Sequence, residues 1–309
     1  MTSLASDEAA RAEWRLGMIF MVSAYLLWGF LPVYYKWTGD IDADIIVAHR
    51  ILWSVLFLAI FLGLRGRLSE VRAILANPRI RGKLTLSALI ISVNWLVFIW
   101  AIDNARILEI SFGYFANPLV SVAIGMVVLK EQVSRTQKIA LTIAALAVGA
   151  QGMALGTFPW VAMVLAVTFA IYGYIRKMVP VGASPGLMVE ALLLSPLALG
   201  YLLYAGVTGT ADVLPLDRPG LFLLLAGTGI VTAVPLALFA GGARRLPLTT
   251  AGLLQYLAPS LHLLMAVYIY HEPISTLRLA TFVLIWLSLA LFTADAWRRR
   301  ARVRPEKVM

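Results

Sequence analysis

The sequence contains no cysteine. That absence removes disulfide frameworks, thiolate catalysis, iron–sulfur clusters and Cys-based zinc sites together. Histidine is nearly as scarce: His49, His262 and His271 make up the full set, with no H-E-x-x-H or other paired metal spacing. A G-x-x-x-x-G-K-[ST] run is also missing, so ATP is not expected to drive the chain directly. Charge is thin as well. Only 14% of the 309 residues are Asp, Glu, Lys or Arg, which disfavours disorder and leaves little polar surface for a water-soluble domain. No metal and no cofactor is expected.

What the sequence does have is apolar length. The hydrophobic set makes up 61% of the chain, against roughly 45–50% in soluble domains. Apolar runs of membrane-crossing length fall at about 17–35, 44–63, 84–102, 107–128, 136–153, 158–175, 186–206, 221–240, 246–269 and 277–294. The expected fold class is therefore an all-α polytopic membrane protein with ten transmembrane helices. Arg11 and Arg15 precede the first run, as in a signal peptide. Its length, its Trp28, Pro32 and Tyr34–Tyr35, and the lack of an A-x-A site read instead as a retained span.

The net charge of +10 raises nucleic acid as a partner, but that reading needs Lys and Arg clustered on a polar face with aromatics for stacking. Here the basic residues stand between apolar runs, where they set membrane orientation instead. With the N-terminus inside, the inner segments hold Arg11 and Arg15, the run from Arg65 to Lys83, Lys130 to Lys138, Arg176–Lys177, Arg244–Arg245 and the cluster from Arg298 onward. The outer segments hold only Lys36, Arg106, Arg218 and Arg278, and Arg50 alone lies inside a span. Both termini are expected to be cytoplasmic. The expected partners are the lipid bilayer and a small-molecule substrate, with a coupled proton and a homodimer left open, and no nucleic acid.

Sliding the chain by 141 residues pairs Val93 with Val234, Phe98 with Phe239, Phe115 with Tyr256, Pro118 with Pro259, Glu131 with Glu272 and Ser134 with Ser275. Two halves of five spans follow, residues 17–153 and 158–294, flanked by tails 1–16 and 295–309. Five is odd, so the second half enters the membrane from the opposite side, giving two inverted-topology five-helix repeats of the kind found in secondary transporters.

Matched interruptions in such repeats point to a midplane site. Pro118 and Pro259 are the expected helix hinges, each freeing a carbonyl one turn earlier, at Tyr114 and Gln255. Asn117 and Tyr256 stand beside them. Ionisable groups inside a span are costly and so point to function. Arg50, with His49, suits an anionic or carboxylate group at one mouth of a pathway, and Glu190 suits a cation or a proton at the other. Asn94, Trp95 and Tyr172 complete the expected substrate and transport pathway, and no catalytic residue is expected. Glu131 and Glu272, at the ends of matched spans, read as caps.

These residues carry a family resemblance from about residue 17 to 297. Its marks are Tyr25 with Trp28-Gly29, His49-Arg50, Asn94-Trp95, Gly113-Tyr114-Phe115-Ala116-Asn117-Pro118, Glu131, Tyr172-Gly173 with Arg176-Lys177, Glu190, Val234-Pro235 and Gln255-Tyr256 with Pro259. The chain resembles the RarD-type proteins of the EamA family, in the drug/metabolite transporter superfamily. The resemblance implies two inverted five-helix repeats around a central cavity, a bacterial inner-membrane location, and transport of small metabolites or drugs, often by export. The family often has Gly where this chain has Lys130 and His271, which bears only on a tight local turn. One alternative is a polytopic membrane enzyme using Asp40, Asp42 and Asp44. That triplet stands in an outer loop where acids also serve as helix caps. Another is a receptor or scaffold, for which the short loops supply no signalling domain.

Overall fold

A computed structural model describes residues 2–37, 41–104, 106–154, 159–268 and 276–302. Among these residues lie twelve helices and no strand. They are α1 (Thr2–Lys36), α2 (Ala43–Leu64), α3 (Leu68–Ala76), α4 (Pro78–Asp103), α5 (Ile107–Val127), α6 (Arg135–Ala154), α7 (Trp160–Met178), α8 (Ala183–Thr208), α9 (Pro219–Ala243), α10 (Leu248–Leu254), α11 (Leu257–Tyr268) and α12 (Thr276–Arg302). The sequence-read positions Asp40, His271, Glu272 and Ser275 lie outside the described residues, as do the side chains of Pro32 and His262.

Local chemistry sets several helix ends. Pro78 opens α4 at a position where its missing N–H costs nothing, and Asn77 Oδ1 accepts the N–H groups of Arg79 at 3.1 Å and Ile80 at 3.2 Å. At α6, Ser134 Oγ accepts the Gln137 N–H at 3.0 Å and Gln137 Oε1 returns the bond to the Ser134 N–H at 2.9 Å, a reciprocal capping box. Glu131 caps a distant helix. Its two carboxylate oxygens accept the first N–H groups of α10, Leu248 at 2.6 Å and Thr249 at 2.9 Å. The turn before it is made without glycine: Lys130 takes φ 53, a left-handed conformation that costs about 1–2 kcal/mol in an L-residue.

Six of these helices, within α1, α2, α4, α7, α8 and α9, hold stretches long and apolar enough to cross a membrane, and shorter apolar helices span Phe112–Val127 and Leu279–Asp295. The outward side chains of the helices, such as Leu64, Val127 and Leu146, stay exposed as a lipid-facing surface requires. The chain is a multi-pass membrane protein.

The helices pack α1 on α9 and α11, α2 on α8 and α9, α4 on α7 and α8, α5 on α7 and α10, and α6 on α12. Close approach requires glycine at α2 and α9, where a Cβ on Gly229 would lie 2.4 Å from the Trp53 backbone carbon. One aromatic cluster, Tyr25, Trp28, Phe169, Tyr172 and Phe239, joins α1, α7 and α9 through ring centroids 5.3 to 6.3 Å apart. A second core joins α5, α6, α11 and α12 around Phe115, Ala144, Tyr256 and Phe282.

Helix boundaries recur along the chain. Pro78 and Pro219, Ile107 and Leu248, Arg135 and Thr276 are paired starts, and Val127 and Tyr268 are paired ends, all with the separation of 141 that also relates Phe115 and Tyr256. Two features break the correspondence. The short amphipathic α3, which buries Val71 and Ile74, corresponds at the same separation to a stretch of turns and bends at 209–217. The ninth apolar run is not one helix but two, α10 and α11, divided at Gln255–Tyr256.

Candidate functional site

A pocket of about 240 Å³ lies between α2, α4 and α8. Asp44, Val47 and Ile51 come from α2, Ser92 and Trp95 from α4, and Leu194 and Tyr201 from α8. A smaller cavity of about 30 Å³ shares Ile51, Trp95 and Leu194 with it and extends to Tyr172, Glu190 and Thr232. The two spaces therefore form one succession, with Trp95 between them. At one end stand Asp44 and Tyr201, whose hydroxyl donates to the Asp44 carboxylate. At the other end stands a buried ion pair.

That pair is Arg176 and Glu190, with Nη1 3.6 Å from Oε1 and both side chains almost wholly buried. Arg176 is anchored by donating from Nη2 to the Ala183 carbonyl at 2.8 Å. The space it occupies exists because residue 186 is glycine, whose Cβ would fall 2.5 Å from Arg176 Nη1. The hydroxyls of Tyr172 and Ser87 face the Glu190 carboxylate without closing a normal hydrogen bond, so both Glu190 oxygens stay buried and unsatisfied. Such a cluster is expensive because both ions are desolvated, and removing either partner would strand the other at a cost of about 3–5 kcal/mol.

Arg50 of α2 lines neither space but touches two residues that do. Its Nε donates to Thr232 Oγ1 at 3.0 Å, and its guanidinium lies over the Trp95 ring, 4.8 Å from the centroid. Its neighbour His49 is committed elsewhere. Nδ1 accepts from Trp53 Nε1 at 3.1 Å, which leaves Nε2 to donate to the Val213 carbonyl at 2.8 Å and describes a neutral ring holding α2 to the segment before α9.

Trp95, Tyr172 and Glu190 thus line these spaces, and Arg50 is joined to them through Trp95 and Thr232. Asn94 is not: its amide donates to the Leu165 carbonyl at 2.9 Å and to Thr168 Oγ1 at 2.8 Å, tying α4 to α7. Asn117, Gln255 and Tyr256 belong to the crossing of α5 with α10 and α11, and Tyr114 packs instead on Phe98 of α4, all apart from both spaces. At the crossing Tyr256 donates its hydroxyl to the Phe115 carbonyl at 3.1 Å, Asn117 Oδ1 lies 3.5 Å from Ser121 Oγ, and the Gln255 carbonyl accepts the Ala258 N–H at 3.2 Å. Pro118 sits inside an uninterrupted α5, and Pro259 lies in the first turn of α11. Asp42 is exposed, and Asp44 is taken by Tyr201. Among the described residues no group of three His, Cys, Asp or Glu gathers as a metal site.

Sequence reasoning missed Arg176, Thr232, Ser87 and Tyr201. Arg176 was legible as a loop charge and a mark of the resemblance but not as a site residue, because its partner lies fourteen residues on in the next helix. Thr232 and Ser87 carry no charge to draw attention within an apolar run.

A profile of the EamA-like transporter family matches residues 15–150. An uncharacterized transporter of Pseudomonas aeruginosa is 42% identical over 95% of this chain and 98% of its own length. The protein RarD of Streptomyces exfoliatus is 40% identical over 96% of this chain and 95% of its own length. One solved crystal structure superposes with a TM-score of 0.69 at 19% identity, covering 92% of this chain and 98% of that one. That likeness concerns the fold alone.

Proposed function

The chain belongs to the EamA-like transporter family, and from that premise we propose a secondary transporter that exports small metabolites or drugs by alternating access. The membrane domain divides into two inverted five-helix repeats, residues 17–153 and 158–294, with both termini cytoplasmic. The observation that carries this reading is the position of the pocket. Its walls come from α2 and α4 of one half and from α8 of the other, so relative movement of the halves changes access to it.

Packing supports the two-repeat reading. Pairing α1, α2, α4, α5 and α6 with α7, α8, α9, α10–α11 and α12 turns the α5–α7 contact into α11–α1, α2–α9 into α8–α4, and α1–α9 into α7–α4, all of which occur. In the state described, the space lies toward Asp44 and Tyr201. The end bearing Arg176, Lys177 and Arg244 is closed. There Lys177 Nζ donates to the Ala243 carbonyl at 3.3 Å, and Arg244 donates to the Val181 carbonyl. Proton antiport or substrate exchange supplies the driving force, with Glu190 as the proton-carrying group because it lines the cavity at the closed end.

Reconstitution into proteoliposomes tests this. Amino acids, amphenicols and small metabolites that raise the melting temperature of the purified protein supply the substrates, since a ligand of the folded state stabilises it by mass action. Flux of such a solute above that of empty vesicles, driven by a pH gradient and uncoupled from it in Glu190→Gln, is the expected result. Unchanged coupling in Glu190→Gln removes Glu190 from the mechanism. An absence of flux or exchange for every stabilising solute overturns the transporter reading itself.

A further inference from the structure

We propose that the connection from the end of α2 through α3 to the start of α4 is a docking surface for the headgroups of acidic phospholipids. Its ligand is the bilayer itself, whatever solute the chain moves.

Charge density singles this connection out. Residues 65–83 carry Arg65, Arg67, Arg72, Arg79, Arg81 and Lys83 against one acid, Glu70. The corresponding stretch at a separation of 141, residues 206–224, carries Asp212, Asp217 and Arg218. Orientation in the bilayer does not account for the excess, since the connections at 130–138, 176–177 and 244–245 carry only two or three basic residues each.

The fold leaves these charges available. All six basic residues are exposed. Arg67 is paired with Glu70, Arg81 donates from Nη1 to the Leu75 carbonyl at 2.7 Å, and Arg65 lies over the Phe61 ring. The side chains of Arg72, Arg79 and Lys83 make no hydrogen bond or ion pair with the described residues. Arg79 and Lys83 are one turn apart on α4 and so share a face.

Their level in the membrane follows from the spans on either side, which cover Asp44–Leu64 and Pro78–Phe98. Gly66, at φ 64, takes the left-handed conformation that turns the chain from α2 into α3. Helix α3 then buries Val71 and Ile74 and packs on α8 and α4, which leaves Arg72 on its outer side. Leu64 and Leu68 flank the Gly66 turn and are exposed as well. Guanidinium groups donate paired N–H bonds to a phosphate, and basic clusters beside a membrane span or on an amphipathic helix select acidic lipids. A soluble anion has no use for the leucines, whereas a phospholipid carries an acyl chain for them beneath its phosphate. Bound lipid also steadies α3 against α8, where Arg67 Nη2 rests on Gly182, whose Cβ would lie 3.0 Å from it.

The test uses the full chain in non-ionic detergent, with dioleoylphosphatidylglycerol and dioleoylphosphatidylcholine as probes. Bound lipid is counted by native mass spectrometry, and the melting temperature is followed in parallel. Wild type is expected to bind the acidic lipid at least about ten-fold more tightly and to melt higher with it. A cation near an acidic headgroup is worth about five-fold in binding, so Arg79→Gln is expected to weaken the acidic lipid by about that factor. The triple variant Arg72→Gln, Arg79→Gln, Lys83→Gln is expected to lose the preference, and its exposed positions leave the core untouched. The triple variant Lys130→Gln, Arg135→Gln, Lys138→Gln removes the same charge elsewhere and is expected to keep it. Equal binding of the two lipids, a preference that survives the first triple variant, or an equal loss in the second overturns the site. Stabilisation by inorganic phosphate or hexaglutamate as large as that by the acidic lipid overturns the lipid assignment, in favour of a free anion or an acidic protein segment.

Discussion

Helix α5 and the pair α10–α11 occupy the same register, start and end at matched positions, and carry matched prolines, yet one is continuous and the other is broken. Pro118 stands in mid-helix, where a missing N–H and a ring clash are costly. Pro259 avoids that cost because the chain turns at Gln255–Tyr256 and restarts, leaving proline in a first turn whose N–H groups have no intrahelical acceptor. Bonds from the N–H groups of Gln255, Tyr256 and Ala258 to carbonyls three residues back tighten the break. The same local sequence signal thus has two structural outcomes, and the surroundings choose between them. α10 is too short to persist alone and is held from outside, by Glu131 at its start and by α5 along its side.

Three substitutions probe that difference. Glu131→Ala removes a carboxylate that accepts two N–H groups, and thermal unfolding in detergent should fall by about 3 kcal/mol, with Glu131→Gln retaining part of the stability. A loss below about 1 kcal/mol would mean that α10 holds itself. Gly252→Ala places a Cβ 2.9 Å from Ser121 Cβ and 3.0 Å from the Pro118 carbonyl oxygen, so overpacking should cost about 1–3 kcal/mol. A neutral result would show that α5 and α10 separate easily. Tyr256→Phe deletes only the bond to the Phe115 carbonyl and should cost about 1 kcal/mol in the same assay, with a new peak in amide hydrogen exchange at the break if that bond fixes its geometry.

Much of this fold was legible because hydropathy and loop charge report on a single physical constraint, the satisfaction of backbone groups in lipid. The read boundaries at 44–63 and 107–128 lie within one residue of α2 and α5. The same constraint hides whatever is polar or short. α1 extends to Thr2 through Glu8, Arg11 and Glu13, where no apolar run exists, and the nine-residue α3 is amphipathic rather than apolar. The site was half legible. Arg50 and Glu190 stood out as charges inside spans, but the partners that decide their chemistry, Thr232 and Arg176, come from other helices and leave no local pattern. Asn94 illustrates the converse: a polar residue at depth whose amide is spent on joining α4 to α7.

The bond from Tyr256 to Phe115 has one further consequence. Where two halves are related by a twofold axis, the midpoint between any residue and its mate lies on that axis, and here two mates touch. The axis of the proposed repeats therefore passes through the crossing of α5 with α10 and α11, and through the α2–α8 and α6–α12 contacts for the same reason. Points on an axis are displaced least when the halves exchange shapes. The crossing that holds Pro118 and Pro259 would then be a fulcrum, and the pocket beside α2 and α8 the short arm of a lever whose long arms are the helix ends.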